Sequence, residues 1–273
     1  MLISHQLPRW LALTVLYGLT SAALADTVLI TGANSGIGLE FARQYAVDGW
    51  HVIATHRRDT VPESLAALSS QYDNVQIEMI DVTDSATIAA VAAKLGGRPI
   101  DILLNNAGIV GTMEDPAQKF GSLDYDLLHR FVDVNLAGPL RVSEAFYGNV
   151  AASKQKKIVA VSSAAGSLTI SASDFRQETG ISTRYWYDIS KAGLNMGFIA
   201  LSKDAADDGV SVAVYQPGLV RVARTEQYPM TDAMKSMMVE VDDSVSAMRQ
   251  RFAELGPDTS GNFFDRRGEV IPW

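Results

Sequence analysis

Apolar and polar positions along this chain follow two alternating periods. From residue 27 onward, short apolar runs recur at 27–30, 51–55, 75–80, 100–104, 157–161, 210–215 and, more weakly, 262–264. Each run is too short for a helix and nearly continuous in its hydrophobicity, as expected of strands buried on both faces. Between them, apolar residues fall at helical spacing over 38–47, 62–70, 85–95, 123–134, 138–151 and 187–207, which predicts amphipathic helices. Strand, helix and strand alternating over short connections predict an α/β fold, a doubly wound parallel sheet with helices on both faces. Thr60-Val61-Pro62-Glu63 reads as a capping box opening the second helix. With 273 residues, 47% of them hydrophobic, the chain can bury its core as a single domain.

Two segments break the pattern. Residues 167–184 are polar and rich in Ser and Thr, and residues 221–243 carry Met230, Met234, Met237 and Met238. Irregular segments next to the carboxyl ends of parallel strands are where such a fold builds substrate sites. The methionines fit helical core packing first and an adaptable substrate lid second. Before the first strand, Arg9, an apolar stretch from Trp10 to Leu19, and Ala23-Leu24-Ala25 ahead of Asp26 match the parts of a secretory signal. Residues 1–25 are therefore expected to be a signal peptide or an N-terminal extension, with residues 26–273 forming the folded domain. Cleavage after Ala25 would place the protein in the periplasm or outside the cell; an uncleaved leader would leave it in the cytoplasm.

The first strand runs directly into Thr31-Gly32-Ala33-Asn34-Ser35-Gly36-Ile37-Gly38 and then a helical pattern. Gly32 permits a tight turn, Gly36 lets backbone approach a phosphate, and Gly38 allows close packing of helix on strand. The helix N-terminus directs its amides and positive dipole end at the anion. The octet thus reads either as a dinucleotide cradle of Rossmann-like type or as only a tight connection between strand and helix.

Tyr187 and Lys191, four residues apart at the start of a helix, share one face. An ordinary tyrosine hydroxyl titrates near pH 10, too high for efficient proton exchange at neutrality. A lysine cation about 4 Å away, at an effective dielectric near 20, favours the phenolate by about 4 kcal/mol, roughly three pKa units. Burial opposes this, so the positive ring of an oxidised nicotinamide is expected to assist. Other polar or glycine-rich motifs collect at the same edge of the sheet: Asn105-Asn106-Ala107-Gly108 after the fourth strand, Ser162-Ser163-Ala164-Ala165-Gly166 after the fifth, Pro217-Gly218 after the sixth, and Asn135 after the helix at 123–134.

In order and spacing, these motifs resemble those of the short-chain dehydrogenase/reductase family over residues 27–273. The resemblance implies a catalytic tetrad of Asn135, Ser163, Tyr187 and Lys191, with Ser163 preferred over Ser162 because it stands three residues before Gly166. It also implies cofactor contacts from Gly32, Asn34, Ser35, Gly36, Ile37 and Gly38, from the adenine-side pair Asp81-Val82, and from Asn106, Ala107 and Gly108. Tyr187, Lys191, Pro217, Gly218 and Val220 complete that set. The C-terminal stretch from Gly261 to Trp273 and the long interval from Ser163 to Tyr187 are similar to the C-factor and sniffer-type carbonyl reductases. Val222 departs from the pattern, since relatives usually carry a cofactor-contacting threonine there.

The second strand ends Thr55-His56-Arg57-Arg58. An acid here would suit NAD(H), whereas His56 followed by Arg57 suits the 2′-phosphate of NADP(H), with NAD(H) as the alternative. The expected activity is hydride transfer between NADP(H) and a carbonyl or secondary alcohol. In it Ser163 positions the oxygen, Tyr187 moves the proton, Lys191 supports Tyr187 and binds the nicotinamide ribose, and Asn135 holds a relay water. The rival is a nucleotide-binding signalling protein with little chemistry. A net charge of −8 argues against a nucleic-acid partner. No cysteine is present and the four histidines lack paired ligand spacing, so no metal site is expected. The helices at 123–134 and 138–151 resemble the family's association surfaces, which would give a homodimer or homotetramer.

Overall fold

The computed structural model describes residues 25–112 and 115–273; the leader expected at the N-terminus lies almost wholly outside them. The elements, in chain order, are β1 (Thr27–Ile30), α1 (Gly36–Val47), β2 (His51–His56), α2 (Glu63–Gln71), β3 (Val75–Met79), α3 (Ser85–Leu95) and β4 (Ile102–Asn105). Next come α4 (Tyr125–Val132), α5 (Gly138–Ala151), β5 (Lys157–Val161), α6 (Leu168–Ala172), α7 (Phe175–Thr179), α8 (Tyr185–Asp204), β6 (Ser211–Gln216) and β7 (Leu219–Arg221). The chain finishes with α9 (Asp232–Ser236), β8 (Met238–Glu240), α10 (Val241–Glu254) and β9 (Phe263–Asp265).

Seven strands form one parallel sheet in the order β3-β2-β1-β4-β5-β6-β9. Strand order reverses between β1 and β4, which opens a crevice at their carboxyl ends. Side chains alternate across the sheet, so Val28 and Ile30 face one apolar layer and Leu29 the other; Ile102, Leu104 and Leu103 repeat the alternation one strand over. The first layer is closed by Phe41 of α1, Leu65 of α2 and Phe252 of α10. The second is closed by Ile88 of α3, Phe146 of α5 and Phe198 of α8. Burial on both faces explains why the strands read as unbroken apolar runs.

Several expectations need correction. The capping box does not form: α2 starts at Glu63, its N-cap is Pro62, and no side chain caps it. Proline pre-sets the backbone angle but offers no hydroxyl, so Thr60 remains outside the helix. The helix at 123–134 is not followed by a break, because α4 passes through a π-helical turn, Asp133–Ala137, directly into α5. Asn135 therefore sits inside that turn rather than after a helix. In α8, Tyr187 is the third residue rather than the first. The methionine segment forms no single packed helix: Met234 is fully buried in the five-residue α9, Met237 is exposed, and Met238 begins β8, which pairs only with β7. Helix α10 was not anticipated, since its polar residues outnumber its buried Val245, Met248 and Phe252.

Candidate active site

The glycine octet is held by the end of the neighbouring strand. Thr31 Oγ1 accepts from the backbone N–H groups of Asn106 and Ala107, both at 3.0 Å, and Asn106 Nδ2 donates to the carbonyls of Thr31 and Gly32. This lashing leaves no room for a side chain at Gly38, where a Cβ would stand 2.3 Å from the Gly32 carbonyl oxygen and 2.4 Å from Asn106 Nδ2. Gly32 adopts φ +65° with its Cβ direction 2.9 Å from Ala107 Cα, a conformation and an approach that favour glycine. Ser35 is the N-cap of α1 but makes no side-chain capping bond, so the helix presents free N–H groups to the cleft.

A cleft of about 680 Å³ runs from this loop across the strand ends. Fifteen of the expected cofactor residues line it: the octet residues Gly32 and Asn34 to Gly38, then Arg57, Asp81, Val82, Asn106, Ala107, Gly108, Tyr187, Lys191 and Pro217. Gly218 and Val220 do not line it; Val220 is buried, and Val222, Ala223, Arg224 and Gln227 form the wall instead. β7 ends at Arg221, so Val222 begins the turn that follows the strand and reaches the cleft, while Val220 packs inside. Val222 closes over the glycine loop, with its Cγ1 3.5 Å from where a Gly36 Cβ would stand.

At the end of β2, His56 is buried and its Nδ1 accepts from the Arg58 backbone N–H at 3.3 Å. Burial pushes its pKa below the usual 6.5 and keeps the ring neutral. The histidine therefore folds the turn rather than meeting a ligand, and both Arg57 and Arg58 stand exposed on the cleft. Sequence reasoning assigned only Arg57, although the adjacent arginine was in plain view.

Two members of the expected tetrad, Tyr187 and Lys191, share the cleft wall at 7% and 6% exposure. Lys191 Nζ donates to the Val161 carbonyl at 2.9 Å, and burial pushes its pKa down from 10.5 to about 8. Gly166 lets the turn after β5 press onto α8, since a Cβ there would lie 2.7 Å from the Lys191 carbonyl carbon. Of the two serines, Ser162 sends its hydroxyl inward to Asn195 Oδ1 at 2.6 Å. Ser163 is half-buried, and its Oγ accepts from the Ala165 N–H at 3.2 Å, which leaves its own proton to donate.

Asn135 has no exposure, and backbone and a serine occupy its side chain. Oδ1 accepts from the Ile109 N–H at 2.8 Å, and Nδ2 donates to the Ile109 carbonyl and to Ser190 Oγ. Pro139, four residues on, has no N–H to offer the Asn135 carbonyl. The Asn135 side-chain amide is occupied at both ends by protein groups.

One positioning residue escaped sequence reasoning. The N-cap of α8, Arg184, makes no side-chain cap, and Gln118 Oε1 instead accepts from the Tyr187 N–H at 3.1 Å. Gln118 lies in a short 3₁₀ turn after β4 and is fully buried. Nothing in its sequence context marks it, because the partner is 69 residues away.

A model of the short chain dehydrogenase family matches residues 26–232. The chain belongs to that family. It is an oxidoreductase of the short-chain dehydrogenase/reductase kind, similar at 30% identity over 250 residues to a 1-hydroxy-2-glutathionyl-2-methyl-3-butene dehydrogenase of Rhodococcus sp. strain AD45, covering 91% of this chain and all of that one. The C-signal protein of Myxococcus xanthus is 29% identical over 187 residues, 67% of this chain and 99% of its own. Among solved structures, the NADPH-bound carbonyl reductase from chicken fatty liver matches with a TM-score of 0.79 at 29% identity, covering 91% of this chain and 94% of that one.

Proposed function

We propose that this short-chain dehydrogenase/reductase is an NADP(H)-dependent carbonyl reductase. The observation that carries the reading is the single cleft in which an uncapped helix N-terminus, two exposed arginines and the buried pair Tyr187 and Lys191 meet. The residues fit the cofactor: the free N–H groups of α1 suit a pyrophosphate, and Arg57 and Arg58 suit a 2′-phosphate. Lys191, a buried cation whose one acceptor is a neutral carbonyl, suits the ribose hydroxyls. NADP(H), when bound, supplies or accepts the hydride.

The protein's own residues manage the proton. The Ser163 hydroxyl donates to the substrate oxygen and fixes its distance from Tyr187. The Tyr187 hydroxyl then gives its proton to that oxygen during reduction and takes it back during oxidation. Lys191, held by the Val161 carbonyl one turn on from Tyr187 in α8, would supply a positive charge that favours loss of the phenol proton. Asn135 holds Ile109 and the turn between α4 and α5 in place, and its carbonyl is available to a relay water. In this reading Asn135 positions the site rather than touching substrate. The chicken carbonyl reductase, with NADPH bound on the same fold, supports the cofactor assignment.

The test is carbonyl-dependent consumption of NADPH by the purified protein across a panel of aldehydes and ketones. Turnover with NADPH preferred over NADH is expected. Tight NADPH binding with no turnover of any carbonyl would overturn the reading and favour a signalling role.

A further inference from the structure

Arg184, at the entrance to α8, has no part in the chemistry above. It is only 8% exposed, yet its guanidinium carbon lies 4.4 Å from the centroid of the Tyr187 ring. Its Nε is sealed from solvent without an acceptor, and neither terminal nitrogen has one among the described residues. The neighbouring carboxylate, Asp188, is shared: its Oδ2 takes Arg176 Nη2 at 2.9 Å and the Arg184 backbone N–H at 3.2 Å, its buried Oδ1 takes no bond, and its charge acts on both arginines. Two guanidiniums thus share one carboxylate, and the Arg184 side-chain donors, withdrawn from water over an aromatic face, are left without an acceptor.

Its surroundings point the same way. Tyr228, which donates to the Gly111 carbonyl at 2.9 Å, has a phenol that burial pushes up while the charges of Arg224 and Arg184 pull it down, so both cations act on one small region. Arg224 is exposed and forms part of the cleft wall. The one acid among the described residues lining the cleft, Asp81, has its Oδ1 engaged by the N–H and hydroxyl of Thr83. A fork of guanidinium donors with no acceptor, next to the proposed proton donor, matches the two oxygens of a carboxylate.

We propose that the substrate is a carbonyl compound bearing a carboxylate, bound by Arg184 with its carbonyl against Tyr187, and drawn in by Arg224. This rests on the reductase reading of the same site and adds a substrate class to it.

The experiment measures binding and turnover together. NADPH-loaded protein is titrated calorimetrically with pyruvate, 4-oxopentanoate and 5-oxohexanoate and with the methyl ester of each, and kcat/KM is measured for all six. For at least one pair, the acid is expected to exceed its ester by about tenfold or more in both affinity and kcat/KM. In Arg184→Met that ratio falls to near one, chiefly through KM; Arg184→Lys restores part of it, and Arg224→Gln lowers it by a smaller factor. If Arg184→Met does not fold, as a lost NADPH titration would reveal, the lysine variant and the exposed Arg224→Gln carry the comparison. Esters bound and reduced as well as acids by the wild type would overturn the proposal. So would equal losses for acid and ester in Arg184→Met, which would make the arginine a prop for the tyrosine ring. Acids that bind through Arg184 without being reduced would overturn the reductase reading instead and leave the carboxylate site standing.

Discussion

Two helices open onto the cleft, and their first turns are finished differently. Helix α1 begins at Gly36 behind Ser35, makes no side-chain cap and carries no acid in its first turn. Helix α8 also lacks a cap from its own N-cap residue, but Gln118 reaches across from the loop after β4 to take the Tyr187 N–H. Elsewhere, α3 and α4 are closed in the ordinary way by Asp84 and Asp124. An open first turn suits a helix that must bind an anion through its backbone. A first turn filled by the protein suits a helix that must hold one side chain still. In the proposed reading, the dinucleotide end of the cleft depends on glycine geometry and the reacting end on buried hydrogen bonds.

The contrast can be broken at either end. Among the residues that frame the cleft rather than react in it, the largest effect is expected at Gly38, where Gly38→Val would drive a side chain into the Gly32 carbonyl and Asn106. NADPH affinity, followed by nicotinamide fluorescence, should fall about a hundredfold or more, since the loop cannot move without losing its lashing to β4. Next in size is Arg57→Ala, in which the ratio of kcat/KM for NADPH over NADH should fall by about tenfold or more, as one charged contact to phosphate is removed. At the other end, Gln118→Leu leaves the Tyr187 N–H buried without an acceptor. It should lower kcat by roughly tenfold and leave NADPH affinity unchanged, because an orphaned buried donor costs about 1–3 kcal/mol. A drop in cofactor affinity instead would show that the two ends are not separable.

A separate effect is one of stability with pH. The Lys191 pKa is pushed from 10.5 to about 8 by burial, so the charged form is disfavoured in the folded protein. Below about pH 8 the lysine is protonated in both states and burial of the ammonium costs stability. Between about 8 and 10.5 the folded state releases its proton first, and stability rises by up to about 3 kcal/mol. Thermal unfolding of the cofactor-free protein should show this rise in the wild type and its loss in Lys191→Met.

The same contrast separates what was legible in the sequence from what was not. The sheet, its flanking helices and the glycine loop are written in local patterns: continuous apolar runs, helical spacing, glycines at fixed offsets. The π-helical turn at Asn135 and the late start of α2 depend on which backbone groups find partners, and a residue string does not show that. The sequence points to Val220 where Val222 lines the cleft, because two valines two residues apart carry the same hydrophobic signal and nothing local shows where β7 ends. Gln118 and Arg184 were missed for a related reason. Each acts on Tyr187 through space, and neither lies in a motif whose spacing marks it. Helix α10 was overlooked because its apolar stripe is narrow, although Phe252 packs on Phe41 with ring centroids 5.6 Å apart.

The central claim is that one cleft binds NADPH through α1 and moves a proton through Tyr187 on α8. The most direct test is to replace Tyr187 with Phe and to measure NADPH affinity and carbonyl reduction on the same preparation. The account predicts NADPH binding within about twofold of the wild type and a fall in kcat of about a thousandfold or more, the loss of one proton donor. Substantial residual turnover in that variant, with a carbonyl the wild type reduces, would contradict it.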